Sequence, residues 1–126
     1  MKKVLVVDDE DMVRNYVRRA LASRGWEVVE AVNGADALEA LRTGDFAAMI
    51  CDLKMPDTRG EEVIKEAAAS KPGMKIIVIT GSVSDVSSLI EPGIAAAGFL
   101  LKPFGIDEIR DLAEKVIGEG EMSGER

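Results

Sequence analysis

The chain has 126 residues, enough for one domain that buries roughly two-thirds of the surface its unfolded form exposes. Its one cysteine, Cys51, excludes an internal disulfide framework, and with no histidine in the chain no Cys/His cluster can hold zinc. The formal net charge of −7 argues against direct contact with nucleic acid, which is bound through clustered Lys and Arg. No apolar run approaches the roughly 20 residues that span a bilayer, so no membrane is expected and a reducing, cytoplasmic setting is the default.

In chain order, Val4 to Val7 is a continuous apolar run, as in a strand covered on both faces, and it runs straight into the acids Asp8, Asp9, Glu10 and Asp11. From Asp11 to Arg24, Val13, Val17, Ala20 and Leu21 repeat at helical spacing, with Gly25 placed to end the helix. Trp26 to Ala31 reads as a second strand. Asn33-Gly34 opens a helix carrying Ala37, Leu38 and Leu41 that closes near Gly44, and Phe46 to Cys51 is a third strand. Residues 60–70 predict a helix with Val63, Ile64 and Ala67 on one side, after which Pro72-Gly73 turns the chain into a fourth strand, Lys75 to Ile79. Val86, Leu89 and Ile90 give the next segment an apolar face for a fourth helix, which Pro92 kinks or stops. A short fifth strand, Gly98 to Leu101, precedes a fifth helix striped by Ile106, Ile109, Leu112, Val116 and Ile117. Periodicity ends at Gly118, so the expected organisation is one domain over 1–117 and a flexible tail over 118–126.

Strands alternating with helices indicate an α/β fold, a doubly wound five-stranded parallel sheet built from right-handed crossovers. The flavodoxin-like order 2-1-3-4-5 puts a switch point between the first and third strands, and ligands sit outside the carboxyl ends of strands at such a crevice. Asp8 and Asp9 follow the first strand and Asp52 follows the third, so three carboxylates are expected in one pocket. They repel unless a hard cation sits among them, and Mg²⁺ is held by a few carboxylates plus waters. The fourth strand ends in Thr80, a hydroxyl, and the fifth in Lys102, a mobile point charge. A cation on each side of Asp52 would neutralise an incoming phosphoryl group and leave the carboxylate to attack its phosphorus.

"VDDE" at 7–10, "CDLKMP" at 51–56, Gly60, "VITG" at 78–81 and "LKPF" at 101–104, in that order and at strand ends, resemble the receiver domain of two-component response regulators over residues 3 to about 117. The resemblance implies Asp52 as phosphoacceptor, with Asp8 and Asp9 around Mg²⁺ (or Mn²⁺), Asp9 as direct ligand and Asp8 largely through water. It further implies the backbone carbonyl of Lys54 as a ligand, Thr80 and Lys102 on phosphoryl oxygens, Phe99 at an aromatic switch position and a cis Lys102-Pro103 peptide. The output face would be made by the fourth helix, the fifth strand and the fifth helix.

Acids after a strand also serve to start a helix, and Glu10 and Asp11 are read that way, without metal contact. Cys51, beside Met49 and Ile50, reads as a small buried residue, and Gly60 as a backbone requirement. On the first helix, Met12, Tyr16 and Arg19 lie on the shoulder of the buried stripe and predict a half-exposed docking patch for a partner's helices. Because the chain has no histidine, a phosphohistidine donor must lie elsewhere, on a histidine kinase or histidine phosphotransfer protein, with a downstream effector protein or domain receiving the signal. Two alternatives stand beside this reading: a receiver-like scaffold that works without phosphorylation, and a phosphohydrolase of the haloacid-dehalogenase type. The second needs an acid two residues past its nucleophile, where this chain has Lys54. A stand-alone receiver and a piece of a longer regulator or hybrid kinase both fit the sequence.

Overall fold

A computed structural model of the chain describes residues 2–82 and 96–118. Strands β1 (Lys3–Val7), β2 (Glu27–Ala31), β3 (Ala48–Asp52), β4 (Lys75–Thr80) and β5 (Gly98–Leu101) form one parallel sheet in the order β2-β1-β3-β4-β5. Helices α1 (Asp11–Ala22), α2 (Gly34–Thr43) and α3 (Gly60–Ser70) alternate with the first four strands, and a C-terminal helix (Ile106–Ala113) runs on into a π-helical turn (Glu114–Gly118). The doubly wound order expected from the sequence is the one observed. The expected fourth helix, with Val86, Leu89, Ile90 and Pro92, and most of the expected tail lie outside the described residues.

The alternation of side chains along each strand divides the interior in two. Leu5, Val7, Met49, Cys51, Ile76 and Val78 point to the face covered by α2 and α3, where they meet Leu41, Val63 and Ile64. Val4, Val6, Ile50, Ile77 and Ile79 point the other way, onto Val17 and Leu21 of α1 and Ile109 of the C-terminal helix. A strand buried on both faces has no use for polar residues, which is why β1 and β3 read as unbroken apolar runs.

Element ends follow local chemistry. Gly25 adopts φ +81°, the left-handed conformation that stops α1, and the helix itself closes at Ala22, two residues before the expected end. Asn33 caps α2 by accepting a hydrogen bond from the Asp36 N–H at 2.8 Å. Strand β3 begins at Ala48 rather than Phe46 and extends through Asp52, while β4 extends through Thr80, so both polar residues are the last of their strands. Gly60 is required by close approach: a Cβ there would stand 2.2 Å from the Asp52 carbonyl oxygen. Its N–H donates to the Leu53 carbonyl at 2.9 Å, closing the β3–α3 loop on itself. Among the described residues no helix is long and apolar enough to cross a membrane.

Candidate functional site

The carboxyl ends of β1, β3, β4 and β5 deliver Asp8, Asp52, Thr80 and Lys102 to one place. Asp8 directly follows β1 and is fully buried. Its N–H donates to the Ala31 carbonyl at 3.2 Å, holding the strand end against β2. Its Oδ1 accepts the Glu10 N–H at 2.8 Å, and its Oδ2, without a hydrogen-bond partner among the described residues, lies 3.2 Å from Lys102 Nζ in an ion pair. Asp52, 4 % exposed, accepts the Lys54 N–H on Oδ1 at 3.3 Å and Lys102 Nζ on Oδ2 at 3.1 Å. Lys102 Nζ also donates to Glu10 Oε1 at 2.6 Å, so one ammonium contacts acids from both sides of the switch point.

Asp8, Glu10 and Asp52 each offer a carboxylate oxygen within 4.8 Å of the others. This differs in one member from the expected trio. Asp9 is exposed and outside the group, because Asp8 turns inward onto the Glu10 N–H and the next side chain along the turn faces away. Glu10 does occupy the N-cap position of α1, as a helix-starting residue should, but its side chain makes no capping bond there and reaches Lys102 instead.

Thr80 is buried; its Oγ1 donates to the Ser82 carbonyl at 3.1 Å and accepts the Ser82 N–H at 3.2 Å. The Lys102 N–H donates to the Thr80 carbonyl at 2.8 Å, so the two strand ends are tied together, and the Lys102-Pro103 peptide is cis. Phe99, on β5, is 43 % exposed and stands outward. Lys54 is exposed on the loop that follows Asp52. On α1, Met12, Tyr16 and Arg19 are all exposed, Met12 at 80 % and Tyr16 at 41 %. Met12 and Tyr16 face Pro103 and Phe104 across a groove of about 520 Å³ that shares Glu10 and Lys102 with the acid pocket.

Burial sets the electrostatics. Desolvation pushes the Asp8 carboxyl up to about 6, with Asp52 adding to the rise; the Glu10 N–H and Lys102 oppose it. For Lys102, burial works against the charge, but hydrogen bonds to Glu10 and Asp52 and the charges of Asp8 and Asp52 outweigh it, holding the ammonium above the ordinary lysine range. Cys51 is buried as expected, and burial raises its thiol above the ordinary range, as befits an inert core residue.

Two further parts of the site were not drawn from the sequence. Arg14 is buried on α1, where it donates to the Asp8 carbonyl at 2.7 Å, to Glu30 Oε1 at 2.8 Å and to Asp11 Oδ1. The available signal was its position three residues before Val17 and seven before Leu21, on the apolar stripe itself. Asp57, in the β3–α3 loop, accepts the N–H groups of Gly34 and Ala35 at 3.0 and 3.2 Å and so pins that loop to the start of α2; these bonds hold its carboxyl below the usual range.

A parallel sheet with a buried aspartate at the end of its central strand, flanked by acids, a threonine and a lysine at neighbouring strand ends, defines a class of phosphoryl-accepting signalling domains. The chain belongs to the response regulator receiver domain family, whose model matches residues 4–114. It is 30% identical over 117 residues to the response regulator receiver protein CpdR of Brucella abortus, covering 93% of this chain and 98% of that one. It is 34% identical over 116 residues to the sensor kinase CckA of the same organism, covering 90% of this chain but only 12% of the kinase. Among solved structures, the response regulator TrrA of Thermotoga maritima, in complex with Mg²⁺-BeF, superposes with a TM-score of 0.82 at 34% identity, covering 92% of this chain and 99% of that one. The protein is thus a receiver domain of two-component response regulators, a signalling family.

Proposed function

We propose that Asp52 is the residue through which this receiver accepts its phosphoryl group. The observation that carries the reading is the burial of Asp52 at the switch point with Lys102 Nζ 3.1 Å from its carboxylate. An Asp52 oxygen attacks the phosphorus of a phosphohistidine on a partner kinase or phosphotransfer protein. The O–P bond forms as the N–P bond breaks, and the electron pair returns to the imidazole nitrogen. Attack of water on the same phosphorus later forms a new O–P bond as the bond to the Asp52 oxygen breaks, releasing inorganic phosphate and restoring the free carboxylate, so the domain assists both its own phosphorylation and its dephosphorylation.

The donor set fits a hard divalent cation, since carboxylate oxygens from Asp8, Glu10 and Asp52 converge and the buried Asp8 Oδ2 lacks a hydrogen-bond partner among the described residues. Asp8, Asp52 and the Lys54 backbone carbonyl would hold Mg²⁺, or Mn²⁺ with the same oxygen ligands; Asp9, exposed beside them, would turn in as a further ligand, next to the Glu10 carboxylate that already converges there. Bound there, the ion supplies positive charge against the phosphoryl oxygens. Lys102 exchanges its contact with Glu10 for a phosphoryl oxygen. The Thr80 hydroxyl leaves Ser82 for another, opening space into which Phe99 turns from the surface. That movement alters the face formed by β5 and the C-terminal helix, and a downstream effector reads it.

Exposure of Met12, Tyr16 and Arg19 beside the shared groove supports docking of the histidine-bearing partner there. The test of the acceptor is incubation with acetyl phosphate and Mg²⁺ followed by intact-mass measurement. Wild type should gain one hydroxylamine-labile phosphoryl group and Asp52→Asn none; equal labelling of both proteins would remove Asp52 from its role.

A further inference from the structure

We propose that Arg14 is a positioning residue for this site, fixing the acidic turn after β1 by holding the main-chain carbonyl of Asp8. The inference rests on the metal-binding part of the proposed function and extends it to a residue that touches neither metal nor phosphoryl group.

Arginine is rarely buried without partners, and Arg14 is only 7 % exposed. Its planar fork of donors is divided among three parts of the fold. One N–H goes to the Asp8 carbonyl at 2.7 Å, another to Asp11 in the first turn of α1, and Nε–H to Glu30 Oε1 of β2 at 2.8 Å. Glu30 is itself held, because its second carboxylate oxygen pairs with Arg18 one turn further along α1. The neighbouring β2 residue, Ala31, accepts the Asp8 N–H at 3.2 Å. Adjacent residues of an edge strand therefore fix the peptide groups on both sides of the Asp8 Cα, one directly and the other through Arg14. With its backbone held and its Oδ1 accepting the Glu10 N–H at 2.8 Å, the Asp8 carboxylate faces Asp52 and Lys102.

A plain core ion pair would stabilise the fold without tuning the site. The difference lies in where the third bond goes: to the carbonyl of the residue whose carboxylate lines the pocket. Partners that orient a metal-binding residue affect affinity about 10- to 100-fold when removed. Lysine at this position keeps the charge and most of the stem but offers a single nitrogen, which cannot serve three acceptors in one plane.

The experiment compares wild type, Arg14→Lys and Ile76→Val. Ile76 is a buried residue in the first half of β4, at the end of the sheet opposite the acids, and its truncation destabilises the core without approaching them. Mg²⁺ affinity is measured by calorimetry, stability by urea unfolding without Mg²⁺, and labelling by acetyl phosphate over a Mg²⁺ series. Arg14→Lys should bind Mg²⁺ about tenfold more weakly while Ile76→Val binds it as wild type does, and the Arg14→Lys labelling rate should recover at saturating Mg²⁺. Arg14→Lys with wild-type Mg²⁺ affinity, or both variants losing affinity in step with stability, would overturn the role given to Arg14 and leave the functional reading intact. Wild type that binds Mg²⁺ but takes no phosphoryl group on Asp52 would overturn the functional reading and leave the positioning role supported. Wild type that binds no Mg²⁺ would overturn both.

Discussion

Asp8 is an acid held against its own desolvation. It is fully buried, its Oδ2 has no hydrogen-bond partner among the described residues, and burial pushes its carboxyl up from 3.8 to about 6. A folded-state pKa above the unfolded value means the folded chain binds that proton more tightly. The resulting stabilisation is complete below about pH 4, fades as pH rises toward 6, and leaves a charged, desolvated Asp8 costing up to about 3 kcal/mol at neutral pH. Asp8→Asn should therefore resist urea better than wild type at pH 7.5 without Mg²⁺, with the difference shrinking toward zero at pH 4. A variant less stable than wild type at both pH values would show that its pairing with Lys102 outweighs burial. At this scale the sequence was informative but incomplete. Asp52 and Thr80 could be placed because each ends a strand, and Lys102 because it directly follows one. The reach of Glu10 to Lys102, 92 positions away, could not, because nothing local distinguishes an acid that only starts a helix from one that also turns toward the pocket.

The β3–α3 loop is the element whose shape the site depends on most. Asp57 anchors it to the start of α2, the Gly60 N–H closes it onto Leu53, and the absence of a side chain at Gly60 lets the next helix begin against the Asp52 carbonyl. Gly60→Ala would bring a Cβ to 2.2 Å from that backbone oxygen, and neither partner is the flexible end of a side chain. The loop must shift, which should lower stability by about 1–3 kcal/mol. It should also slow acetyl phosphate labelling more than that loss predicts, because Asp52 moves with its backbone; urea unfolding and labelling rates on the same preparation check both. An unchanged labelling rate per folded molecule would mean the loop is not coupled to Asp52. Among the described residues, helix and strand identities were legible from spacing, and the turn glycines from composition. The strand ends were displaced by up to two residues: Phe46 has a strand-like side chain, and Ala47 bonds through its backbone to Lys3 and Lys75, but the paired register begins only at Ala48.

Across the whole molecule, the doubly wound order brings to one rim residues drawn from positions 8 to 102 and sets β5 at the sheet edge, where Phe99 faces out. A phosphoryl group on Asp52 and an effector on the far face can communicate only through an element with two arrangements, and Thr80 with Phe99 is the proposed one. The shift in population is limited by the differential affinity of the phosphoryl group for the two arrangements, about tenfold per 1.4 kcal/mol. Thr80→Ala should thus accept beryllofluoride nearly as well as wild type while the amide NMR shifts of residues 96–104 are much reduced. Equal shifts in both proteins would route the signal elsewhere. The fold was legible at this scale because period-two burial on both faces of the strands admits few topologies; of Met12, Tyr16 and Arg19 only the exposure on α1 was legible, since a surface does not name its partner.

All of this depends on Asp52 being the atom donor to phosphorus, and borohydride trapping tests it most directly. After treatment with acetyl phosphate and Mg²⁺, reduction of an aspartyl phosphate leaves homoserine at the modified position, which peptide mass spectrometry locates. The account predicts homoserine at position 52 alone, and no homoserine when Mg²⁺ is withheld by chelation. Homoserine at position 8 or 9, or none at any position in a protein that has gained a phosphoryl group, would contradict it.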